Sequence, residues 1–388
     1  MSKMNTNLQQ VDLKALKNII PHFFQNRIPL YLWGRPSTGK TSMIRQFAKE
    51  EAKRRDLEYS EDKYGKNIFT MKVITLSQYD SPDLRGMPEI TKTENGESIT
   101  TFVPTAELPR EGQGILFFDE MNLADDATRA ACYQIILEGR YGSLPAVKNK
   151  HGIDAYWRVA ASNTENDFCN VNVSSLALLR RFSHLEVTMK VEEAINYFMA
   201  IGLDSRIIAF LKNSAEELFP QKWDEKLMDN KANPFPSAWE NLGIMIGKLV
   251  PGKHADDKRK IAIFSDIYYL AASCVGAPVA SKFVNYCKMV NKLDMDEIIR
   301  EPKKQIEIVN KMDERASLLY AIVYNIGQRW HRKEKKVTAA KVLEITEALP
   351  PEFGTSFAQH VLEVRSHELT KEKDFDRIIT KFGRYFDV

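Results

Sequence analysis

Residues 34–41 read Gly34-Arg-Pro-Ser-Thr-Gly-Lys-Thr41, a pattern that binds phosphate groups. Glycines allow successive backbone N–H groups to turn inward around phosphate oxygens, and a helix that begins here adds a favourable dipole. The Lys40 ammonium would reach the β- and γ-phosphates of a nucleotide, and the Thr41 hydroxyl would bind Mg²⁺. The sequence therefore predicts a site for ATP and Mg²⁺. The residues expected to contact the nucleotide are Gly34, Pro36, Ser37, Thr38, Gly39, Lys40, Thr41, Ser42 and Asp119.

Two acids end the apolar run Ile115–Glu120. A strand that is buried on both faces presents side chains to ligands only at its carboxyl end, where α/β sheets bind them. We predict that Asp119 holds Mg²⁺ together with Thr41, and that Glu120 is the general base that activates water. Alone, such a pair could simply cap the next helix. The phosphate pattern upstream favours the catalytic interpretation.

Two further polar groups lie next to apolar runs. Asn163 ends one such run, where it is either a plain turn residue or an amide that orients water against the γ-phosphate. Arg180 and Arg181 precede the last run, as surface ion-pairing residues or as a charge donated to the phosphate of a neighbouring subunit. The residues predicted to be catalytic are Glu120, Asn163 and Arg181, with Arg180 as the alternative one position earlier.

The elements that would position these groups alternate along the first half of the chain. Short β-branched or aromatic runs alternate with helical patterns up to about residue 189, which predicts a parallel sheet covered on both faces. Insertions at about 85–113, with a hairpin turn at Asn95-Gly96, and at about 142–155 interrupt the alternation. Beyond residue 190 the patterns are helical. The predicted strands are Ile28–Trp33, Lys72–Leu76, Gly114–Phe118, Trp157–Ala161 and His184–Met189.

The order of these motifs resembles that of the AAA+ ATPases, and of their MoxR-like branch, over about residues 28–300. The resemblance implies an α/β P-loop core whose five-stranded parallel sheet has the order 5-1-4-3-2. It also implies an all-α lid. The resemblance ends after the lid, where the helical patterns predict a C-terminal extension. By the same resemblance Asn163 matches sensor 1 and Arg181 the arginine finger. The segments that carry it are Gly34–Thr41, Gly112–Ala124, Val159–Asp167, Leu178–Val187 and Cys274–Phe283.

The domains expected on this basis are an α/β nucleotide-binding domain at 1–190, a helical lid at 191–300 and a helical extension at 301–388. The family forms hexameric rings, and relatives often work beside proteins with von Willebrand factor A domains. The resemblance therefore implies a homo-oligomeric, hexameric motor that uses ATP to remodel a protein client. Two alternatives stay open, a nucleic-acid-dependent translocase or helicase-type ATPase and an ATP-gated scaffold with little turnover.

Two segments, one in the lid and one in the phosphate loop, depart from the family pattern. The lid of relatives usually carries Pro-Arg-x-Trp-Glu, whereas this chain has Pro236-Ser-Ala-Trp-Glu240, so Ser237 replaces the nucleotide-sensing arginine. The phosphate loop contains Arg35 and Ser37, where relatives more often have small residues and glycine.

Bulk properties limit the partners. The 388 residues carry a net charge of +3, so charge gives no support to nucleic-acid binding, and the basic segment 331–336 is expected to be a solvated helix end. The four cysteines lack metal-ligand spacing, which favours reduced thiols. No apolar run approaches the roughly 18–20 residues that span a bilayer, and the first residues lack the apolar core of a signal peptide. We expect a cytoplasmic protein without a membrane partner.

Overall fold

The structure is a computed structural model, and its described residues are 8–103, 105–141, 144–163, 179–220, 231–247, 259–372 and 375–376. The chain divides into two compact units, Met1–Lys190 and Val191–Val388. Cys169, Leu178 and the end of the sequence motif that runs from Val159 to Asp167 lie outside the described residues.

The first unit is an α/β structure. Its strands are β1 (Gln10–Val11), β2 (Leu30–Trp33), β3 (Glu58–Ser60), β4 (Ile68–Thr75), β5 (Met87–Lys92), β6 (Ser98–Val103), β7 (Gln113–Asp119), β8 (Arg140–Tyr141), β9 (Leu144–Pro145), β10 (Tyr156–Ser162) and β11 (Ser183–Val187). Its α-helices are α1 (Leu13–Asn26), α2 (Lys40–Arg54), α3 (Ser81–Arg85) and α4 (Asp126–Tyr133), and a π-helical turn, Gln134–Glu138, follows α4.

A parallel sheet of seven strands has the order β1-β11-β2-β10-β7-β4-β3. Five of them, β11-β2-β10-β7-β4, lie in the expected 5-1-4-3-2 order, but the expected number of five strands is wrong. One extra strand lies at each edge of the sheet. These edge strands have two and three residues, which is too short for an alternating apolar pattern to predict them.

Helices cover both faces of this sheet. Leu30 and Leu32 of β2 lie in a buried cluster with residues of α1 and α2, whereas Tyr31 lies in a second cluster with residues of α4. Successive side chains of a strand point to opposite faces, so both clusters draw on the same strands. The near-continuous apolar character of the strands follows from this two-sided burial, as predicted.

The predicted hairpin is present at 87–103. Strands β5 and β6 pair antiparallel from Met87↔Val103 to Lys92↔Ser98, and Gly96 lies in the turn between them. The short antiparallel pair β8 and β9 lies at the start of the second insertion. Its residues 142–143 lie outside the described residues.

The second unit is helical in its described residues. Its α-helices are α5 (Val191–Ala200), α6 (Ser205–Asn213), α7 (Pro236–Gly247), α8 (Arg259–Val275), α9 (Ala277–Val290), α10 (Met295–Arg300), α11 (Pro302–Asn310), α12 (Arg315–His331), α13 (Ala339–Ala348) and α14 (Pro351–Leu369).

An aromatic core joins the helices of this unit. Phe210, Trp239 and Phe283 contact one another with ring centroids 5.4–5.7 Å apart. Helix α12 packs against both α6 and α14, so helices on either side of residue 300 share one compact unit. The finer division into a lid and an extension stays a prediction.

The basic segment after α12 is solvated. The helix ends at His331, and residues 332–336 are exposed, with Lys336 in an ion pair with Asp296.

The described cysteines, Cys132, Cys274 and Cys287, are free thiols. Among the described residues, no helix combines the length and the apolar character needed to cross a bilayer.

Candidate functional site

The loop between β2 and α2 has a backbone that requires glycine at two positions. Gly34 has φ 152°, and a Cβ there would lie 2.5 Å from the carbonyl oxygen of Val187. Gly39 has φ 82° and caps the amino end of α2 in a left-handed conformation. The predicted strand, loop and helix are therefore present, and the amino end of α2 is directed at the loop.

The Lys40 side chain is hydrogen-bonded to the backbone of this loop. Its ammonium donates hydrogen bonds to the carbonyl oxygens of Gly34, at 2.7 Å, and Arg35, at 2.9 Å, and the residue is buried. The Thr38 hydroxyl also donates to Arg35 O, at 2.9 Å. A phosphate in the loop would compete with these carbonyls for the ammonium. The remaining predicted contacts surround the loop, with Pro36 and Ser37 half-buried and Ser42 exposed, and the side chain of Arg35 is exposed.

The Thr41 hydroxyl donates a hydrogen bond to Asp119 Oδ2 at 3.0 Å. Asp119 is the last residue of β7, and the pair joins two segments 78 residues apart in sequence. Burial raises the pKa of the Asp119 carboxyl, against the opposing hydrogen bonds from Thr41 and from the backbone N–H of Glu120. A half-buried carboxylate beside a hydroxyl matches the oxygen ligands that Mg²⁺ uses, usually with substrate phosphates. The two side chains fit the predicted metal.

Glu120 follows Asp119 with an unusual backbone. Its φ is 54°, a left-handed value that non-glycine residues adopt rarely and often at functional sites. Its N–H donates to Asp119 Oδ1 at 3.0 Å, and its carboxylate accepts a short hydrogen bond from the Ser77 hydroxyl. The sequence analysis missed Ser77. The available signal was a hydroxyl residue just beyond the predicted strand Lys72–Leu76.

Asn163 directly follows β10, the strand that lies between β2 and β7. Its carbonyl oxygen accepts a hydrogen bond from the Asn122 side-chain amide at 3.4 Å. Ser162, the preceding residue, accepts from the backbone N–H of Asn122 at 3.2 Å. Asn122 is buried, and sequence reasoning missed it because an Asn two residues after Glu120 has no signal of its own.

The parallel sheet brings most of the predicted groups together at the carboxyl ends of its strands. The phosphate loop, the two acids and Asn163 all follow the carboxyl ends of the neighbouring parallel strands β2, β7 and β10. These strand ends are where α/β sheets bind ligands.

The two arginines lie at the opposite end of the strands, the amino end. Arg180 and Arg181 are exposed in a turn just before β11 begins at Ser183. The parallel register pairs Ser183 with Leu30 and Glu186 with Trp33, so this turn lies beside the amino end of β2. The structure therefore separates Arg181 from the phosphate loop of its own chain.

Ser237, the position of the missing lid arginine, is exposed in the first turn of α7. Two residues later Trp239 is buried and donates its indole N–H to the carbonyl oxygen of Glu217 at 2.9 Å. The effect of Ser237 on nucleotide affinity stays a prediction.

Comparisons with known proteins find only weak similarity. No family model matches the chain, and no curated protein matches it. A proposed ATPase from Cytophaga hutchinsonii ATCC 33406 is 14% identical, with a TM-score of 0.31, over 50% of this chain and 51% of its own. This chain thus spans about half the length of that protein.

NtrX from Brucella abortus is 10% identical, with a TM-score of 0.32, over 88% of this chain and 67% of its own. A structure of NtrX from Brucella abortus in complex with ADP is 10% identical, with a TM-score of 0.33, over 72% of this chain and 64% of its own. Values this low establish neither a family nor a function for this chain.

Proposed function

We propose that the chain is an ATPase of the AAA+ class, with the features of the MoxR-like branch. The observation that supports this most directly is the 3.0 Å hydrogen bond between Thr41 and Asp119. It joins the end of a phosphate-binding loop to the end of a neighbouring strand, with Lys40 on one side and Glu120 on the other. A chance loop would not meet an acidic strand end in this way.

Each side chain has a role in this reaction. The loop amides and Lys40 would bind the β- and γ-phosphates, and Thr41 and Asp119 would hold Mg²⁺, which neutralises phosphate charge when bound. Glu120 would accept the proton of the attacking water, and Asn163 would orient that water. These roles require groups from the carboxyl ends of three strands, and all of them lie there.

The proposal includes a ring, which we take to be hexameric. Arg181 lies beside the amino end of β2, away from its own phosphate loop. This position supports the proposal that Arg181 serves the site of another subunit. A cation that faces the γ-phosphate in the transition state is worth about 10³–10⁵ in rate.

The proposed client is a protein. The family resemblance makes a protein with a von Willebrand factor A domain one candidate. The hairpin at 87–103 supports a protein partner, because Ile90 is 76% exposed and Phe102, on the same face of the hairpin, is exposed as well. Clustered exposed apolar side chains mark protein interaction sites. The net charge of +3 gives no matching support to a nucleic-acid client.

The test measures ATP binding and turnover separately. Lys40→Ala should lose ATP binding, whereas Glu120→Gln should bind ATP and lose turnover by roughly 10²-fold or more, the usual contribution of a positioned general base. Lys53→Ala, which removes an exposed lysine side chain near the carboxyl end of α2, is the control and should behave as wild type. Wild-type turnover by Glu120→Gln would refute the assignment of the base.

The same assays separate the alternatives. Stimulation of turnover by single- or double-stranded nucleic acid would favour a translocase, and tight binding with negligible wild-type turnover would favour a scaffold. Purification of Glu120→Gln with ATP should retain rings together with their client.

A further inference from the structure

The two arginines occupy the corner of a closed turn. The Phe182 N–H donates to the carbonyl oxygen of Leu179 at 3.2 Å, which places Arg180 and Arg181 at the two central positions. Both arginines are exposed, whereas Phe182 is buried. The direction in which the arginines project therefore depends on what holds Leu179 and Phe182.

The ring of His184 contacts the same carbonyl oxygen. Its Nε2 makes a short hydrogen bond to the carbonyl oxygen of Leu179, and its Nδ1 accepts the indole N–H of Trp33 at 3.0 Å. A carbonyl oxygen can only accept and an indole nitrogen can only donate. Both contacts are thus satisfied by one form, the neutral imidazole with its proton on Nε2.

Trp33 connects this ring to the phosphate loop. It is the last residue of β2, and the next residue, Gly34, opens the loop. Its ring stacks on Tyr31 with centroids 4.3 Å apart and planes 18° apart, and Tyr31 in turn contacts Phe182 at 5.3 Å. The turn is consequently joined to β2 by a hydrogen-bonded path through His184 and by a packed path through Tyr31.

We propose that His184 is a positioning residue that couples the phosphate loop to the arginine turn, residues 179–182, of the same subunit. Through this turn the subunit would serve the site of its neighbour. A shift of Trp33 when the loop binds nucleotide would move His184, and with it the Leu179 carbonyl that closes the turn. Residues 33 and 184 are 151 positions apart in sequence, so this path exists only in the folded sheet. The inference rests on the proposed ATPase with a shared site.

The first measurement does not require turnover. Hydrogen exchange of the full chain, read by mass spectrometry on peptides that cover 179–184, reports whether the turn stays closed. We expect faster exchange in His184→Ala and in Trp33→Phe. His184→Gln, which keeps one donor and one acceptor, should restore much of the protection. Trp239→Phe is the matched control, since it removes an indole hydrogen bond of a buried tryptophan to Glu217 O, 2.9 Å long, in the second unit of the chain.

The second measurement is a double-mutant cycle on turnover. A misplaced catalytic group can cost up to about 10²-fold in rate, so His184→Ala should lower kcat by roughly tenfold while KM stays within about twofold. In the Arg181→Ala background the same substitution should change the small residual rate, read from single-turnover assays, by less than about twofold, because its effect passes through Arg181. His184→Gln should recover most of the loss.

The results separate this inference from the proposed function. A wild-type chain without ATPase activity would contradict the proposed function, and the exchange measurement would still decide the coupling. Unchanged protection of 179–184 in His184→Ala, or losses of kcat that multiply in the double variant, would overturn the inference. If His184→Ala fails to fold, Trp33→Phe, which removes only the indole hydrogen bond to His184, provides the same comparison with wild type.

Discussion

The Ser77 hydroxyl donates a hydrogen bond to Oε2 of Glu120 across two neighbouring strands of the sheet. Ser77 lies just beyond the carboxyl end of β4, and Glu120 just beyond that of β7. The bond fixes the orientation of a carboxylate whose backbone is itself held in a left-handed conformation. Ser77 is therefore a positioning residue for the proposed base.

Replacing Ser77 by alanine should lower turnover without weakening ATP binding. The Glu120 carboxylate would lose the partner that orients it, and we expect kcat to fall by roughly tenfold, within the range for a misplaced catalytic group. Steady-state ATPase assays test this, with Ser77→Thr as the variant that keeps the hydroxyl. An unchanged or increased kcat in Ser77→Ala would show that the bond restrains Glu120 instead of preparing it.

Asp119→Asn should stabilise the protein while it abolishes hydrolysis. Burial raises the pKa of Asp119, so the folded state holds this proton more tightly than the unfolded chain. The charged form therefore costs stability, increasingly as the pH rises above the ordinary value of 3.8 through the raised one. The amide oxygen can still accept from the Glu120 N–H, and the amide NH₂ can donate to the Thr41 hydroxyl. The amide carries no charge, so Tm at pH 7 should rise.

Asp125→Asn is the matched control for this measurement. Asp125 caps α4 by accepting from the Thr128 N–H at 2.7 Å, and this bond lowers the pKa of its carboxyl. Its charged form is thus stabilised in the folded state, and Tm at pH 7 should fall. If the two variants shift Tm in the same direction, the charge of Asp119 is not a source of instability.

Mixing two inactive variants should restore turnover. Arg181→Ala keeps its phosphate loop, and Lys40→Ala keeps its arginine turn, so a mixed ring contains complete sites at some interfaces. We expect each variant alone to retain at most a small residual ATPase activity and the mixture to recover part of the lost activity. Arg180→Ala with Lys40→Ala tests the neighbouring register. Mixed rings, verified by mass measurement, that recover no activity with either arginine would show that the finger is not supplied in trans.

Acid should weaken the second unit through one histidine. His360 is buried against Gly327, where a Cβ would lie 2.0 Å from its Cδ2, and its ring lies 4.4 Å from that of His331. Burial, and secondarily His331, lowers the pKa of His360 from 6.5 to about 3. The unfolded chain therefore binds a proton that the folded chain excludes between these values, so stability falls as the pH drops below 6.5.

Denaturation at pH 7 and pH 5 measures this effect. Protonation of His360 in the unfolded chain lowers the free energy of unfolding by up to about 1.4 kcal/mol per pH unit, or by about 2 kcal/mol between pH 7 and pH 5. His360→Leu should remove that part of the pH dependence, whereas His367→Leu, at an exposed position, should not. An identical pH dependence in wild type and His360→Leu would show that the buried histidine is not responsible.

Local patterns in the sequence determined the phosphate loop and the acidic strand end. Gly34–Thr41 and Ile115–Glu120 each place the needed residue types on consecutive positions, and the backbone rules for loops and buried strands then act locally. The hairpin turn at Asn95-Gly96 was predictable for the same reason. The number of strands was not, because Gln10–Val11 and Glu58–Ser60 are too short to show a period.

Only the tertiary structure decided which of these segments meet. Ser77 reaches Glu120, and Trp33 reaches His184, because parallel strands that are adjacent in the sheet are distant in the chain. The strand register likewise places Arg181 away from its own phosphate loop. Hydrogen bonds between strand ends depend on strand order and register, and these are set by burying both faces of the sheet at once rather than by any local run of residues.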